Sequence, residues 1–129
     1  MSVDCACTVG TDVDDRVTLL ENKFIRSRKE HKCSECRVTI PKGAEYFKET
    51  WTYDGRIDHH KTCEHCYSIR QVFFSSGWYY SQLIEDMETF VIDCGGELSV
   101  PCLLQLTPRA RGMVCDMIEE TYRALDEND

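Results

Sequence analysis

The sequence predicts an α+β fold: a small treble-clef-like zinc module, made of a knuckle, a β-hairpin and a helix, with a C-terminal helical extension. Two Cys-x-x-Cys pairs, Cys33-Ser-Glu-Cys36 and Cys63-Glu-His-Cys66, are separated by 26 residues. Those intervening residues read as a hairpin, and apolar stripes at helical spacing follow the second pair. At 129 residues the chain fits a single domain, 1–129, divided into an acidic arm (1–22), a zinc module (23–75) and a helical extension (76–129).

Residues 1–16 are polar and acidic, with Cys5-Ala-Cys7 their one feature. From Val17 to Ile25 the positions Val17, Leu20 and Phe24 fit a helical stripe, but extended backbone fits as well, and better after Lys23. Beyond the first cysteine pair, Pro41 and Gly43 suit a turn, and Glu45 to Tyr53 is rich in β-forming residues. Asp54-Gly55 is a hairpin signal, so the return strand, about Arg56 to Lys61, carries the chain back to Cys63. The second pair then opens a helix with Ile69, Val72 and Phe73 facing inward. Hairpin and helix are each too small to fold alone, and a bound metal supplies free energy on the order of 10 kcal/mol in isolated fingers.

Two further helices follow. Tyr80, Leu83, Ile84, Met87 and Val91 form one face of a helix over Tyr79 to Val91, with Gly95-Gly96 just past its end. In the last segment Thr107 suits a cap and Pro108 the first helical position, ahead of a stripe running through Ala110, Val114, Met117 and Ile118 to Leu125. The final four residues are expected to fray.

Thiolates at i and i+3 point at one ion when the backbone turns tightly or begins a helix, and Zn²⁺ favours four such ligands. Cys33, Cys36, Cys63 and Cys66 are therefore the candidate metal ligands. His60 stands three before Cys63 and offers an alternative fourth ligand. Cys66 is preferred because two thiolates in a first helical turn also meet the positive end of the helix. Cys5, Cys7, His31 and His60, with His59 or His65 in reserve, are candidates for a second site.

Cys94, Cys102 and Cys115 sit among apolar neighbours and read as small core residues. A His-x-Glu followed by Pro-Cys-x-x-Cys, the zinc-deaminase pattern, does not occur, and nothing resembles a three-ligand catalytic site. No enzyme activity is expected. Without a secretory signal, a membrane-spanning run or an even number of cysteines, the chain reads as cytoplasmic, in a compartment where metal is preferred over disulfides.

The net charge of −8 is uneven: residues 1–22 carry −4, residues 23–70 carry +4 and residues 71–129 carry −8. The basic run Arg26, Arg28, Lys29, Lys32, with Trp51 at the hairpin tip, offers candidate nucleic-acid contacts. The competing reading is a solvated strand face balanced by Glu30, Glu35, Glu45 and Glu49. The acidic helices argue for a protein partner.

The segment His31-Lys32-Cys33-Ser34-Glu35-Cys36, then Ile40-Pro41-Lys42-Gly43-Ala44-Glu45-Tyr46, Trp51 to Gly55 and Thr62-Cys63-Glu64-His65-Cys66 resembles a family of small zinc-finger proteins from tailed bacteriophages and prophages. Members often begin with a short Cys-x-Cys arm, as here, and the resemblance covers about residues 1–75. It implies a virus-encoded accessory protein in the bacterial cytoplasm, acting on a host or defence component. A weaker, local similarity to poly(ADP-ribose) polymerase zinc fingers runs through Cys33-x-x-Cys36, Ile40 to Gly43, Asp54-Gly55 and His60-x-x-Cys63. Those fingers bind DNA breaks with three Cys and one His on the metal, whereas this chain is shorter between the pairs and adds Cys66.

Overall fold

The computed structural model describes residues 18–74 and 77–127. In chain order the elements are β1 (Thr18–Arg26), β2 (His31–Lys32), β3 (Thr39–Ile40), β4 (Glu45–Tyr53), β5 (Arg56–Cys63), α1 (Glu64–Phe73), α2 (Leu83–Asp93), α3 (Val100–Leu104) and α4 (Pro108–Glu127). The stretch that fitted either helix or strand is strand: β1 pairs antiparallel with β4, and the main sheet has the order β1-β4-β5. The helical spacing of Leu20 and Phe24 is overridden by that pairing, with a register shift between Leu19 and Glu21.

The β4–β5 hairpin closes at Asp54-Gly55, where both residues adopt left-handed backbone (φ 52° and 77°). Two such residues make the turn whose twist matches the flanking strands, and glycine adopts this conformation without a Cβ penalty. On one sheet face Phe24 and Phe47 meet edge to face at 4.9 Å, and both rings pack on Tyr67 of α1, at 4.7 and 4.6 Å. This aromatic group fastens the sheet to α1.

Helix α1 lies between the sheet and the remaining helices. Its Ile69 and Phe73 are fully buried, together with Leu83, Met87 and Val91 of α2 and Ala110 and Val114 of α4, in one apolar cluster. Burying a side chain of this size contributes about 1.5–3 kcal/mol. Thr107 caps α4 as expected, its Oγ1 accepting from the Ala110 N–H at 3.3 Å.

Several expectations need correction. Helix α2 starts at Leu83 rather than Tyr79, and Tyr80 belongs to the approach. Leu125 is 51% exposed, the apolar stripe having rotated off the core before it. Helix α3, five residues capped by Ser99, is too short to leave a periodic signature. Cys102 is buried in the core, but it is disulfide-bonded rather than a free thiol. Among the described residues no helix is long and apolar enough to cross a membrane.

Candidate metal centre

The two short strands β2 and β3 pair at His31↔Ile40 and Lys32↔Thr39 and frame the first knuckle. Within it the Arg37 N–H donates to the Cys33 carbonyl and the Cys33 N–H to the Val38 carbonyl, both at 3.0 Å. Arg37 takes a left-handed backbone (φ 64°), which turns Cys33 and Cys36 toward the same point. The Ser34 N–H donates to the Lys61 carbonyl at 2.7 Å, fixing the knuckle against the end of β5. The second pair straddles the start of α1, where Cys63 is the N-cap and its Sγ accepts from the Cys66 N–H at 3.4 Å.

The sulfurs of Cys33, Cys36, Cys63 and Cys66 all lie within 4.8 Å of one another. Cys36 Sγ and Cys63 Sγ are 3.8 Å apart, far beyond a disulfide of about 2.05 Å. A tetrahedron with metal–sulfur bonds of about 2.3 Å has edges of about 3.8 Å, so the set fits one ion, consistent with zinc. The Glu35 and Cys63 N–H groups each donate to Cys33 Sγ at 3.4 Å, which favours negative charge there.

Crowding divides the thiols. Hydrogen bonds from Cys36, Cys63 and Cys66 hold Cys33 well below the ordinary thiol range, against the effect of burial. Cys36 settles at about 7, its bond to Cys33 pushing it up and those with Cys63 and Cys66 pulling it down. Cys63 and Cys66 are driven up, first by their bonds to Cys33 and Cys36. Four sulfurs this close do not all ionise alone, and a divalent cation removes that conflict.

The histidines are engaged elsewhere. His60 Nε2 lies 2.8 Å from Glu35 Oε2 in a buried pair, and this alternative ligand is not among the side chains that converge in the cluster. His31 Nδ1 is 3.0 Å from Lys61 Nζ, and burial, then Lys61, Lys29 and Lys48, lower its pKa. His65 Nδ1 meets Thr107 Oγ1 at 2.7 Å, tying α1 to the cap of α4. His59 is exposed beside Thr50. Cys5 and Cys7 lie outside the described residues. We expect His60→Gln to keep the same metal content per chain as the parent, and Cys66→Ser to lose it, as elemental analysis of the purified proteins would read.

Two acids read as surface balance are buried. Glu35, inside the knuckle, accepts from His60 and also from the Ser81 and Leu83 N–H groups, at 3.2 and 3.3 Å. Those are the amides at the start of α2, whose N-cap residue Gln82 makes no side-chain cap of its own. Glu49 accepts from Arg70 Nη1 at 2.7 Å and from the Tyr80 hydroxyl at 3.0 Å. Arg70 Cζ sits 3.8 Å above the Trp78 ring. The Tyr80 hydroxyl is pushed above its usual range, by burial and then by Glu49. Neither acid was detectable as buried from sequence: strand alternation gives Glu49 a face and not a partner, and Glu35, in the turn of the knuckle, has no periodicity to read.

Of the candidate nucleic-acid contacts, Arg26, Arg28 and Lys29 line an open groove of about 1040 Å³ over the other sheet face, together with Lys23, Lys48 and Lys61. Lys32 is exposed on β2 outside it, and Trp51 stacks on Tyr80 at 5.3 Å rather than standing free at the hairpin tip. No protein-family model matches the chain, and neither a curated protein nor a solved structure matches it.

Proposed function

We propose that this chain is a non-enzymatic zinc module of treble-clef type, a phage-encoded accessory protein of the bacterial cytoplasm that docks on a host or defence protein. The observation that supports the first part is the four-sulfur cluster: bound to a tetrahedral ion, these thiolates would fill all four corners and leave none for a reactive water. The metal then has a folding role, and the work of the molecule falls to its surface.

The acidic helices support a protein partner. A groove between α2 and α4 combines Glu88 and Glu120 with Ile92, Met117 and Ala124, and Ile92 is 64% exposed. Apolar side chains within an acidic rim suit a basic amphipathic segment. The test uses the immobilised, zinc-loaded full chain and host lysate. A specific protein should stay bound in about 0.3 M salt, where exposed charge pairs are largely screened, and should be lost from Ile92→Asp. Equal retention by parent and variant would remove the reading. A second reading, nucleic-acid binding, is favoured by one observation, the basic groove over the sheet.

A further inference from the structure

The register of the sheet sets three lysines in a row. Lys23 is opposite Lys48 and Lys48 is opposite Lys61, so one cation from each of β1, β4 and β5 lies on a single cross-strand line. With strands about 4.8 Å apart, the line spans roughly 10 Å. Like charges directly opposite one another destabilise a sheet. A salt-bridged or apolar row would serve folding better; among the described residues Lys23 alone of the three pairs with a carboxylate, Glu21 at 2.8 Å, while Lys61 Nζ meets the neutral acceptor His31 Nδ1 at 3.0 Å.

The same groove collects more charge at its end. Ser27 is buried and fixed there, its N–H donating to the Ala44 carbonyl and its own carbonyl accepting from Gly43, both at 2.8 Å. That anchor presents Arg28 and Lys29 at the surface beside Arg26. Among the described residues Arg28, Lys29 and Lys48 are paired with no carboxylate, and Arg26 reaches Glu45 only at 3.9 Å with both side chains exposed. The row persists on a chain whose net charge is −8, so the concentration is local and sharply placed.

We infer that this groove is a binding site for the phosphodiester backbone of nucleic acid, contacted without regard to base sequence, with Lys23, Lys48 and Lys61 as the central contacts and Arg28 and Lys29 at one end. The inference rests on the nucleic-acid reading above and gives it a location. Lysine ammonium groups act as point charges on phosphate, whereas base reading relies on bidentate side chains. The rings near the groove do not offer a stacking platform: Tyr46 is buried beneath His31, their ring centroids 5.3 Å apart. An acidic protein would require a buried apolar anchor, and the apolar lining here is limited to the half-buried Ile25 and the buried Tyr46.

The experiment is fluorescence anisotropy of the zinc-loaded full chain with a labelled oligothymidylate and a labelled mixed-sequence duplex, between about 0.05 and 0.2 M salt. Binding should fall steeply with salt. Lys48→Gln/Lys61→Gln should weaken it by roughly tenfold or more at about 0.1 M and lower the log–log salt slope by about two. Its melting temperature should equal or exceed the parent's, because repulsion has been removed. Arg28→Gln/Lys29→Gln, on the exposed loop, provides a second variant that should also weaken binding, while Lys42→Gln, outside the groove, should leave it unchanged.

Parent binding that none of the groove variants weakens would overturn the site and leave the nucleic-acid reading standing. If the parent binds neither oligonucleotide at about 0.05 M salt, both fall together. Competition by polyglutamate as effective as by an oligonucleotide of equal charge would assign the groove to acidic protein and overturn the proposal as well.

Discussion

Chelating the metal from the zinc-loaded protein is expected to abolish its cooperative thermal transition, and Cys33→Ser should do the same. Structural zinc contributes about 10–16 kcal/mol in finger peptides, comparable with the whole stability of a domain, about 5–15 kcal/mol. In this chain the ion would join two segments far apart in sequence, the first knuckle with Cys33 and Cys36 and the β5–α1 junction with Cys63 and Cys66, which are otherwise linked by hydrogen bonds between Ser34 and Lys61. Cys33 and Cys66 are fully buried, so their thiolates have no water to replace the cation.

The loss should extend to the helical part through Glu35. This carboxylate sits between Cys33 and Cys36 and caps α2 at the Ser81 and Leu83 amides. A carboxylate at a helix N-terminus satisfies orphan N–H groups and complements the helix dipole. Once the knuckle relaxes, Glu35 no longer holds that position. Amide exchange at Leu83, whose side chain is fully buried, should therefore accelerate together with exchange at Cys33 on chelation. A chelated protein that still melted cooperatively, within about 2 kcal/mol of the loaded form, would show that the four sulfurs do not organise the fold.

Much of this arrangement could be read from residue order because it depends on local chemistry. The Cys-x-x-Cys spacings name the four sulfurs, Asp54-Gly55 marks the hairpin turn, and Thr107-Pro108 opens α4. Each of these signals acts within a few residues. The spacing of Leu20 and Phe24 was ambiguous because strand β1 is decided by β4, which lies beyond any local window. His60 and Cys66 were equivalent by spacing, and they are separated by a partner 25 residues from His60, the carboxylate of Glu35.

The buried acids show the same limit more strongly. Glu30, Glu35, Glu45 and Glu49 look alike in composition, yet Glu35 and Glu49 are enclosed while Glu30 and Glu45 are exposed. What distinguishes them is the chain after α1, which folds Trp78, Tyr80, Ser81 and Leu83 back over the sheet. Enclosing a carboxylate is tolerable only where donors converge on it, and those donors come from segments 21 to 48 residues away.

Glu49→Ala should cost about 3–5 kcal/mol, because it leaves the Arg70 guanidinium buried without its counter-charge. Arg70 Nη1 donates to Glu49 Oε1 at 2.7 Å, both side chains are almost wholly excluded from solvent, and Arg70 Nε has no hydrogen-bond partner among the described residues. The ring faces of Trp78, Tyr67 and Phe47 lie 3.8, 5.2 and 5.4 Å from the guanidinium carbon, so no water replaces the lost carboxylate easily. The Tyr80 hydroxyl loses its acceptor at the same time. Replacing both partners, as in Glu49→Leu/Arg70→Met, should recover most of the loss, since apolar residues of similar volume remove the desolvation cost of both charges. Urea unfolding of the zinc-loaded proteins would measure the difference, with metal content checked in each variant. A loss below about 1 kcal/mol for Glu49→Ala would mean that solvent reaches Arg70, and a double variant no better than the single one would mean that the shape of the pair, rather than its charge, is what α1 and β4 require.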